Sequence, residues 1–403
     1  MKISTVIGAN YGDEGKGLIT DYLSSQSSSM VVRFNGGAQA GHTVVTPEGK
    51  RHVFHHFGSG TLAKAETFLS QYFVACPIFF VEELKVLSAM GFAPNTYIDH
   101  RCPITTPFDI MINQAAEESR GDKKHGSCGM GFNETVHRNQ DPDFTLSFKD
   151  LFSKDLMDKL KHIREKYVPA RLDQLKISDS KLPYLNHPQL LENFLGDCEK
   201  MVFLTNICKW EDLELDHENV VFEGAQGLML DEDHTFFPHV TRSKTGLKNV
   251  AKLLAARSIA TPIDVYYVTR TYVTRHGAGP FPEEMEKLPY DKASDTTNVT
   301  NAHQGDLRFG IIDFDYLTAR VMDDLFRGGG LIARPHYAIT CADQVGDRGV
   351  IYNCNVGNGF NVSSSLQSTS VENFMKLLLD SLDAESGLIS YGPTRKDVRE
   401  FHL

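Results

Sequence analysis

Short runs of β-branched and apolar residues recur along this 403-residue chain, and each run ends in a polar or glycine-rich segment. The runs are Ile3–Gly8, Val31–Phe34, Val220–Glu223, Val265–Thr269 and Tyr337–Thr340. Stretches with apolar residues at helical spacing lie between them, such as Leu18–Leu23 and Asn249–Ser258. This alternation predicts an α/β fold with a mainly parallel central sheet flanked by helices. Ligands of such sheets gather beyond the carboxyl ends of the strands.

The stretch from about residue 150 to residue 200 differs from the rest of the chain. It is rich in Lys, Asp and Leu at helical spacing, which predicts a peripheral helical subdomain. No internal repeat, low-complexity tract or linker is visible elsewhere in the sequence. We therefore predict that residues 1–403 form a single domain with a helical elaboration at about 150–200, because large α/β enzymes often reach this length around one sheet.

Composition and charge narrow the possible partners. A net charge of −11 argues against binding to nucleic acid through a basic surface. The seven cysteines show no CxxC pair, so neither a zinc site nor a disulfide framework is indicated. No apolar run approaches the roughly 18 residues of a membrane helix, and the N-terminus lacks a signal-peptide core. We expect a cytoplasmic protein without membrane contact, in the host cytoplasm if the protein is viral.

The first glycine-rich segment, Gly8–Gly17, lies at a strand-to-helix turn and reads GANYGDEGKG. Glycines let backbone N–H groups approach phosphate oxygens, and a helix N-terminus with Lys16 adds positive charge. The segment is not a Walker A loop, since no Ser or Thr follows the lysine and the spacing from Gly8 is too long. A tight turn with solvated charges is the alternative, but the composition favours a phosphate site.

The second glycine-rich segment, Asn35–Thr43, follows the next predicted strand and contains His42. A single histidine is more often structural than catalytic. Two such segments after successive strands change this balance, because both should lie at one edge of the sheet. Asp13 of the first segment and His42 of the second then form a candidate base and acid pair beside a phosphate site.

A third segment, Phe222–Asp231, is followed by Pro-His-Val-Thr up to Thr241, and a fourth is Thr274–Glu283. GDEGKG, GGAQAGHT, FEGAQGLMLDEDH and TRHGAGPFPEE occur in the order found in adenylosuccinate synthetases, which this sequence resembles over roughly residues 3–397. Weaker matches are Arg308–Asp313, Ile339–Asp343 and Gly392–Arg395. The resemblance implies the adenylosuccinate synthetase fold, which is related to P-loop NTPases.

The resemblance also implies an activity. Such enzymes are carbon–nitrogen ligases that join L-aspartate to C6 of a 6-oxopurine nucleotide through a 6-phosphoryl intermediate, with a nucleoside triphosphate and Mg²⁺. Catalysis would fall to Asp13, His42 and Gln226. Asp13 would take the N1 proton of the purine, His42 would assist phosphoryl transfer to O6, and Gln226 would bind the 6-position. Asp13 and the Gly41 carbonyl would hold the metal.

Binding roles carry over in the same way. The nucleoside triphosphate, GTP or ATP or dATP, would contact Gly12, Glu14, Gly15, Lys16, Gly17, Thr43, Arg308, Asp343 and Gly392. The purine nucleoside monophosphate would contact Asn35, Ser127, Arg138, Gln226 and Thr241. The aspartate substrate would contact Thr297, Asn298 and Arg308. Because the family sends an arginine near Arg138 across a dimer interface, the resemblance also implies a homodimer.

Three departures from the family pattern fall at positions that read the substrate. Lys124–Phe132 replaces a threonine-containing phosphate segment, Thr297–Arg308 replaces an arginine-rich loop and brings Asp306 to an arginine position, and Cys341–Asp343 lacks a lysine that packs on guanine. The pattern resembles the bacteriophage branch that makes 2-aminodeoxyadenylosuccinate from dGMP for genomes containing 2-aminoadenine, although that branch tends to lose the aspartate at position 13. An ordinary synthetase acting on IMP with GTP stays an alternative, and a non-enzymatic GTP-binding switch is a remote one.

Overall fold

The computed structural model describes residues 1–121, 126–293, 295, 306–358 and 361–403. The strands are β1 (Lys2–Gly8), β2 (Ser29–Arg33), β3 (His42–Val45), β4 (Arg51–Phe54), β5 (Glu66–Leu69), β6 (Thr96–Asp99), β7 (Asn206–Cys208), β8 (Asn219–Gly227), β9 (Ile263–Arg270), β10 (Val273–His276), β11 (Glu284–Met285), β12 (Leu307–Gly310), β13 (Ile312–Asp313), β14 (Ala333–Thr340), β15 (Val350–Asn358), β16 (Asn361–Thr369), β17 (Ser386–Ser390) and β18 (Val398–His402). The α-helices are α1 (Lys16–Ser24), α2 (Pro77–Ala89), α3 (Pro107–Ser119), α4 (Phe132–Arg138), α5 (Leu156–His162), α6 (Val168–Leu175), α7 (Leu190–Phe203), α8 (Lys248–Ala256), α9 (Phe314–Arg327) and α10 (Val371–Ser381).

Ten strands form the central sheet, in the order β18-β17-β14-β9-β1-β8-β2-β5-β6-β7. Every neighbouring pair is parallel except β17 and β18 at one edge. The middle strands are buried along nearly their whole length, as expected when helices cover both faces of a parallel sheet. The prediction of a mainly parallel sheet flanked by helices is therefore confirmed.

The order of the strands places the sequence motifs together. Strands β14, β9, β1, β8 and β2 are consecutive neighbours, and their carboxyl ends lie at one edge of the sheet. The segments Gly8–Gly17, Asn35–Thr43 and Gln226–Asp231 leave this edge from β1, β2 and β8. Cys341 and the residues after it leave from β14. Five adjacent strand ends therefore surround one site.

The helical region of residues 156–203 packs mainly against α2 and α3, and Arg171 of α6 lines the cleft at that edge. Helices α5 and α6 are joined by a π-helical turn, Ile163–Tyr167, and α7 packs against α2. Their apolar residues join a core that also contains residues of α2 and α3, separate from the larger core around β1, β9 and β14. No helix in the described part of the chain is both long and apolar enough to cross a membrane.

Candidate functional site

A cleft of about 840 Å³ opens at the carboxyl ends of the central strands. Its walls carry cationic side chains from Lys16, Arg51, Arg120, Arg171, Arg242, Arg270 and Arg275. They also carry carboxylates from Asp13, Glu117, Glu134, Asp295 and Asp343. More cations than carboxylates line the cleft, although the whole chain has a net charge of −11. This local excess of positive charge suits anionic ligands.

The first glycine-rich loop folds tightly around its own charges. Gly15 has φ +94° and precedes α1, and a Cβ there would lie 3.0 Å from Cγ2 of Thr340. The Glu14 carboxylate accepts from the backbone N–H groups of Asn10 and Gly12 at 3.1 and 2.8 Å. Lys16 Nζ lies 2.7 Å from the same carboxylate. Glu14 therefore holds both the loop and the lysine that faces the cleft.

Asp13 occupies a strained position at the centre of this loop. Its φ is +60°, in the left-handed region that costs energy for residues other than glycine. Arg270, at the end of β9, donates from Nε to the Asp13 carbonyl oxygen at 2.6 Å and also pairs with Asp295 at 2.6 Å. Burial raises the pKa of the Asp13 carboxyl, while the charges of Arg270 and Lys16 oppose the shift. A carboxylate with a raised pKa is suited to accept a proton.

His42 is held by the buried carboxylate of Glu223, in the middle of β8. Its Nδ1 lies 2.7 Å from Oε1 of Glu223. Burial alone would raise the pKa of Glu223, but the charges of His42 and Arg33 lower it to about 2. Burial lowers the pKa of His42 to about 4 despite Glu223. The pair is thus a neutral imidazole that donates from Nδ1 to a carboxylate, which leaves Nε2 for the cleft.

Gln226, near the end of β8, lies against the first glycine-rich loop. Its φ is +66°, and its Cα lies 3.7 Å from where a Cβ on Gly12 would be. Gly17 is equally close to the second loop, since a Cβ there would lie 2.9 Å from the Thr43 carbonyl oxygen. Contacts this close show that all three segments converge on one point. The residues other than glycine that line the cleft in the left-handed conformation are Asp13, Gln226 and Cys341.

Comparisons with known proteins agree with this geometry. The sequence model of adenylosuccinate synthetase matches residues 5–322. The chain belongs to the adenylosuccinate synthetase family. The synthetase of Acaryochloris marina is 34% identical over 293 residues, covering 70% of this chain and 62% of that protein. The synthetase of Gloeothece citriformis is 35% identical over 286 residues, with the same coverage, so the match spans about 62% of the length of these relatives.

Two solved structures share the fold at low sequence identity. Fully ligated adenylosuccinate synthetase from Plasmodium falciparum superposes with a TM-score of 0.75 at 20% identity, covering 99% of each chain. Succinoaminodeoxyadenylate synthetase of cyanophage S-2L, bound to dGMP and dATP as an energy donor, superposes with a TM-score of 0.59 at 15% identity. It covers 100% of this chain and 95% of the phage chain. A structural neighbour of this family member thus lies in the phage branch.

Most of the site residues expected for a synthetase line the cleft. They are Gly12, Asp13, Gly15, Lys16, Gly17, Gly41, His42, Thr43, Ser127, Gln226, Thr241, Asp343 and Gly392. Ser127 donates from Oγ to Asn113 Oδ1 at 3.0 Å. Thr241 is fixed through its backbone N–H, which donates to the Leu230 carbonyl at 2.9 Å. The roles of these residues stay predictions, but their common location agrees with them.

Four expected binding residues are not among those lining the cleft. Glu14 points into its own loop, as described above. Asn35 Nδ2 donates to the Ala225 carbonyl at 3.0 Å and its Oδ1 accepts from the Ala225 N–H at 2.7 Å, so this amide joins β2 to β8. Both polar atoms of the Asn35 side chain are therefore already engaged in backbone contacts, and its expected role in binding nucleotide stays a prediction.

Arg138 and Arg308 are likewise engaged in contacts within the protein, and their expected binding roles stay predictions. The Arg138 guanidinium is fully buried against Asp109, at 3.0 Å, and donates to the carbonyls of Ile104 and Phe144, both at 2.7 Å. All of these contacts of the guanidinium are made within the same chain. Arg308 pairs with Glu284 and donates to backbone carbonyls of the Thr274–Glu283 segment. Thr297 and Asn298, expected to bind aspartate, lie outside the described residues.

Several residues at the site were missed by sequence reasoning. Glu223 was inside a recognised motif, and its place as the last residue of the predicted strand Val220–Glu223 was the available signal. Arg270 directly follows the predicted strand Val265–Thr269, where functional residues are expected. Gln39 is a third case, because both polar atoms of its amide are buried without a hydrogen-bond partner in the described structure. Unsatisfied buried amides are costly, so this one fits a site completed by a polar ligand.

Proposed function

We propose that this chain joins L-aspartate to C6 of a 6-oxopurine nucleotide, using a nucleoside triphosphate. The observation that supports this best is the convergence of Asp13, Lys16, His42 and Gln226 in one cationic cleft. Each has the chemistry the reaction needs. A C6 oxygen is a poor leaving group, and phosphorylation makes it a good one.

The reaction divides into two balanced steps. In the first, Asp13 accepts the proton from purine N1, and O6 attacks the terminal phosphorus, which releases the nucleoside diphosphate. In the second, the amine of aspartate attacks C6, inorganic phosphate leaves with the former O6, and the amine loses a proton. His42, oriented by Glu223, lies where its Nε2 can stabilise the transferring phosphoryl group, and an anionic ligand would favour its protonated form.

Mg²⁺ fits the residues that line the cleft. Asp13 and Gly41 both line it, and Mg²⁺ commonly uses one or two protein oxygens with phosphates and water. No cluster of three His, Cys, Asp or Glu side chains suited to another metal occurs in the described chain. When bound, Mg²⁺ would neutralise charge on the phosphates.

For the acceptor we propose dGMP. The replacement of an arginine-rich loop by Thr297–Arg308, with Asp306 at an arginine position, supports a changed reading of the ribose and base. The pairing of Arg308 with Glu284 agrees with this, because that guanidinium is already neutralised. IMP is the second candidate, favoured by retention of Asp13 in the first loop. The donor is proposed to be GTP or ATP, including dATP, and Asp343 in the cleft could accept from guanine N1 and N2.

A substrate panel tests these proposals directly. IMP, dIMP, GMP and dGMP are each combined with GTP, ATP and dATP, and consumption of aspartate and release of phosphate are measured. We expect dGMP to be used with the highest kcat/KM. If IMP is used at least tenfold better than dGMP, the enzyme is an ordinary synthetase. Hydrolysis or binding of GTP without aspartate consumption under any combination would favour a nucleotide-binding switch instead. The same preparation, studied by sedimentation, tests the proposed homodimer.

A further inference from the structure

The nucleotide proposed above carries a 5′-phosphate, and the cation expected to neutralise it does not lie at the cleft. The resemblance assigned that role to Arg138 of a partner subunit. Arg138 is instead enclosed by Asp109 and two backbone carbonyls, with its side chain fully buried. Breaking a buried pair of this kind is strongly unfavourable, so Arg138 is not available to a ligand. The phosphate needs another cation.

Three other arginines line the end of the cleft that holds Ser127. Arg120 pairs with Glu117. Arg171 pairs with Glu134 through both Nε and Nη2, at 2.7 and 3.0 Å. The third, Arg242, forms no hydrogen bond or ion pair with any described residue, although it lines the cleft and is partly buried. Its positive charge therefore has no carboxylate in contact.

The backbone that carries Arg242 is fixed on both sides. Thr241 N–H donates to the Leu230 carbonyl at 2.9 Å, and Glu232 N–H donates to the Ser243 carbonyl at 3.2 Å. Ser243 Oγ accepts from the Gly36 N–H at 3.3 Å, which attaches this segment to the second glycine-rich loop. A fixed backbone restricts where the Arg242 guanidinium can lie, and this lowers the cost of ordering it around a ligand.

Lys244, the next cationic residue along the chain, differs from Arg242 because it has carboxylate partners. Lys244 lies 2.6 Å from Asp233 and 3.0 Å from Glu232, so its charge is neutralised within the protein. Arg242 also acts on His137 of helix α4. Burial and the charges of Arg171 and Arg242 lower the pKa of His137, which agrees with both arginines lying near this histidine. Arg242 thus adds an unneutralised guanidinium to the cleft that Thr241, the next residue, also lines, and a guanidinium with a hydroxyl is well suited to a phosphate monoester.

We propose that Arg242 of the same chain, with Thr241, binds the 5′-phosphate of the nucleotide acceptor, so that each subunit completes its own phosphate site. This proposal rests on the function proposed above. It adds a specificity residue that the sequence resemblance does not supply, because the position carries no assigned role there. It also predicts that the enzyme does not depend on an arginine from a partner.

Binding measurements test the proposal without requiring turnover. Affinities for dGMP and IMP are compared with those for deoxyguanosine and inosine, which lack the phosphate, in wild type, Arg242→Gln and Arg242→Lys. We expect Arg242→Gln to weaken binding of the preferred monophosphate by about 10- to 100-fold. Binding of the nucleosides and of the triphosphate should change less than about threefold. Arg242→Lys should recover part of the loss because it keeps the charge.

The control is Arg399→Gln, which removes the same charge from the edge strand β18, and it should bind like wild type. Equal losses for nucleosides and monophosphates would indicate a structural role for Arg242 and overturn the proposal, as would unchanged binding of the monophosphate. Failure of the proposed function has a different signature, since wild type would then turn over none of the substrate pairs while these affinities could still be compared.

Mixing two impaired variants, assayed at a monophosphate concentration too low to saturate Arg242→Gln, distinguishes a site within one chain from a site shared between chains. Arg242→Gln and His42→Asn are combined, dissociated and reassociated. If Arg242 served the partner's site, hybrid dimers would contain one intact site, and activity would recover toward about a quarter of wild type. We expect no recovery, because each site in a hybrid keeps one defect. Recovery would overturn the assignment to the same chain.

Discussion

Glu223→Gln is the substitution that best tests how His42 is activated. The change keeps the shape of the side chain and removes its charge. Glu223 accepts from His42 Nδ1 at 2.7 Å, from Ser59 N–H at 3.0 Å and from Ser59 Oγ, and it lies 3.8 Å from Arg33 Nε. A glutamine can satisfy only some of these donors. Its NH₂ group must face either Ser59 or His42. If it faces His42, Nδ1 must accept a hydrogen bond, so the proton of the neutral imidazole moves to Nε2.

The size of the effect follows from these contacts. A hydrogen bond to a charged group contributes about 1.5 to 3 kcal/mol, and its loss when the imidazole becomes positive corresponds to a decrease in kcat of about 10- to 150-fold. Stability should also fall, because Arg33 is fully buried and loses the carboxylate that lies 3.8 Å from its Nε. Removing one partner of a buried ion pair costs about 3 to 5 kcal/mol.

The assay therefore measures kcat and thermal unfolding together, at a temperature where Glu223→Gln stays folded. Ser59→Ala is the matched control, since it removes one hydrogen bond to Glu223 and leaves its charge and its contact with His42. We expect the control to lose about 1 kcal/mol of stability and less than about threefold in kcat. A folded Glu223→Gln protein with kcat within about threefold of wild type would refute the view that this carboxylate prepares His42.

Three further predictions concern buried polar groups. Asp13→Asn and His42→Asn should each lower kcat by at least about a hundredfold with little change in the unfolding temperature, as measured by steady-state kinetics and calorimetry. Gln39→Met should raise the free energy of unfolding by about 1 to 3 kcal/mol, because it removes two unsatisfied polar atoms, and should weaken nucleotide binding; equal or lower stability would contradict the reasoning. Burial raises the pKa of Asp324 to about 6, so its stabilising contribution is full below about pH 4 and is lost as pH rises to about 6. Wild type should lose about 3 kcal/mol relative to Asp324→Asn over that range, and parallel urea-unfolding curves at all pH values would exclude this.

The elements of the fold that could be predicted were those with a clear local pattern of apolar residues. The β-branched run Val265–Thr269 became β9, Ile263–Arg270, because a strand covered on both faces must be apolar along its length. The run Val220–Glu223 became the longer β8, Asn219–Gly227. Its extension through Gly224 and Gly227 was not predictable from propensity, since glycine disfavours strands in general. Here Gly224 packs under Phe34 and the β1 backbone, where a side chain would collide.

The site was predictable where a motif implied chemistry at a strand end, and not where function depended on long-range pairing. His42 and Asp13 could be proposed from their glycine-rich surroundings. The partner of His42 could not, because Glu223 lies 181 positions away in the chain. The surroundings of Arg138 could not be predicted either, because nothing in the nearby sequence showed that its guanidinium would pair with Asp109. Whether an arginine faces a ligand or a carboxylate depends on tertiary contacts that a single sequence does not display.

The same distinction bears on specificity. Arg308 is the arginine that the resemblance placed on the substrates, yet Glu284 and two backbone carbonyls occupy its guanidinium, and a substrate would have to compete with them. Arg270 is likewise committed to Asp295 and to the Asp13 carbonyl. Arg242 has no such partner among the described residues, so it can contribute its full charge to an anion. Discrimination by a group left unpaired with the wrong ligand is larger than discrimination by added contacts, and the phosphate end of the cleft is therefore where this enzyme should recognise its nucleotide most strictly.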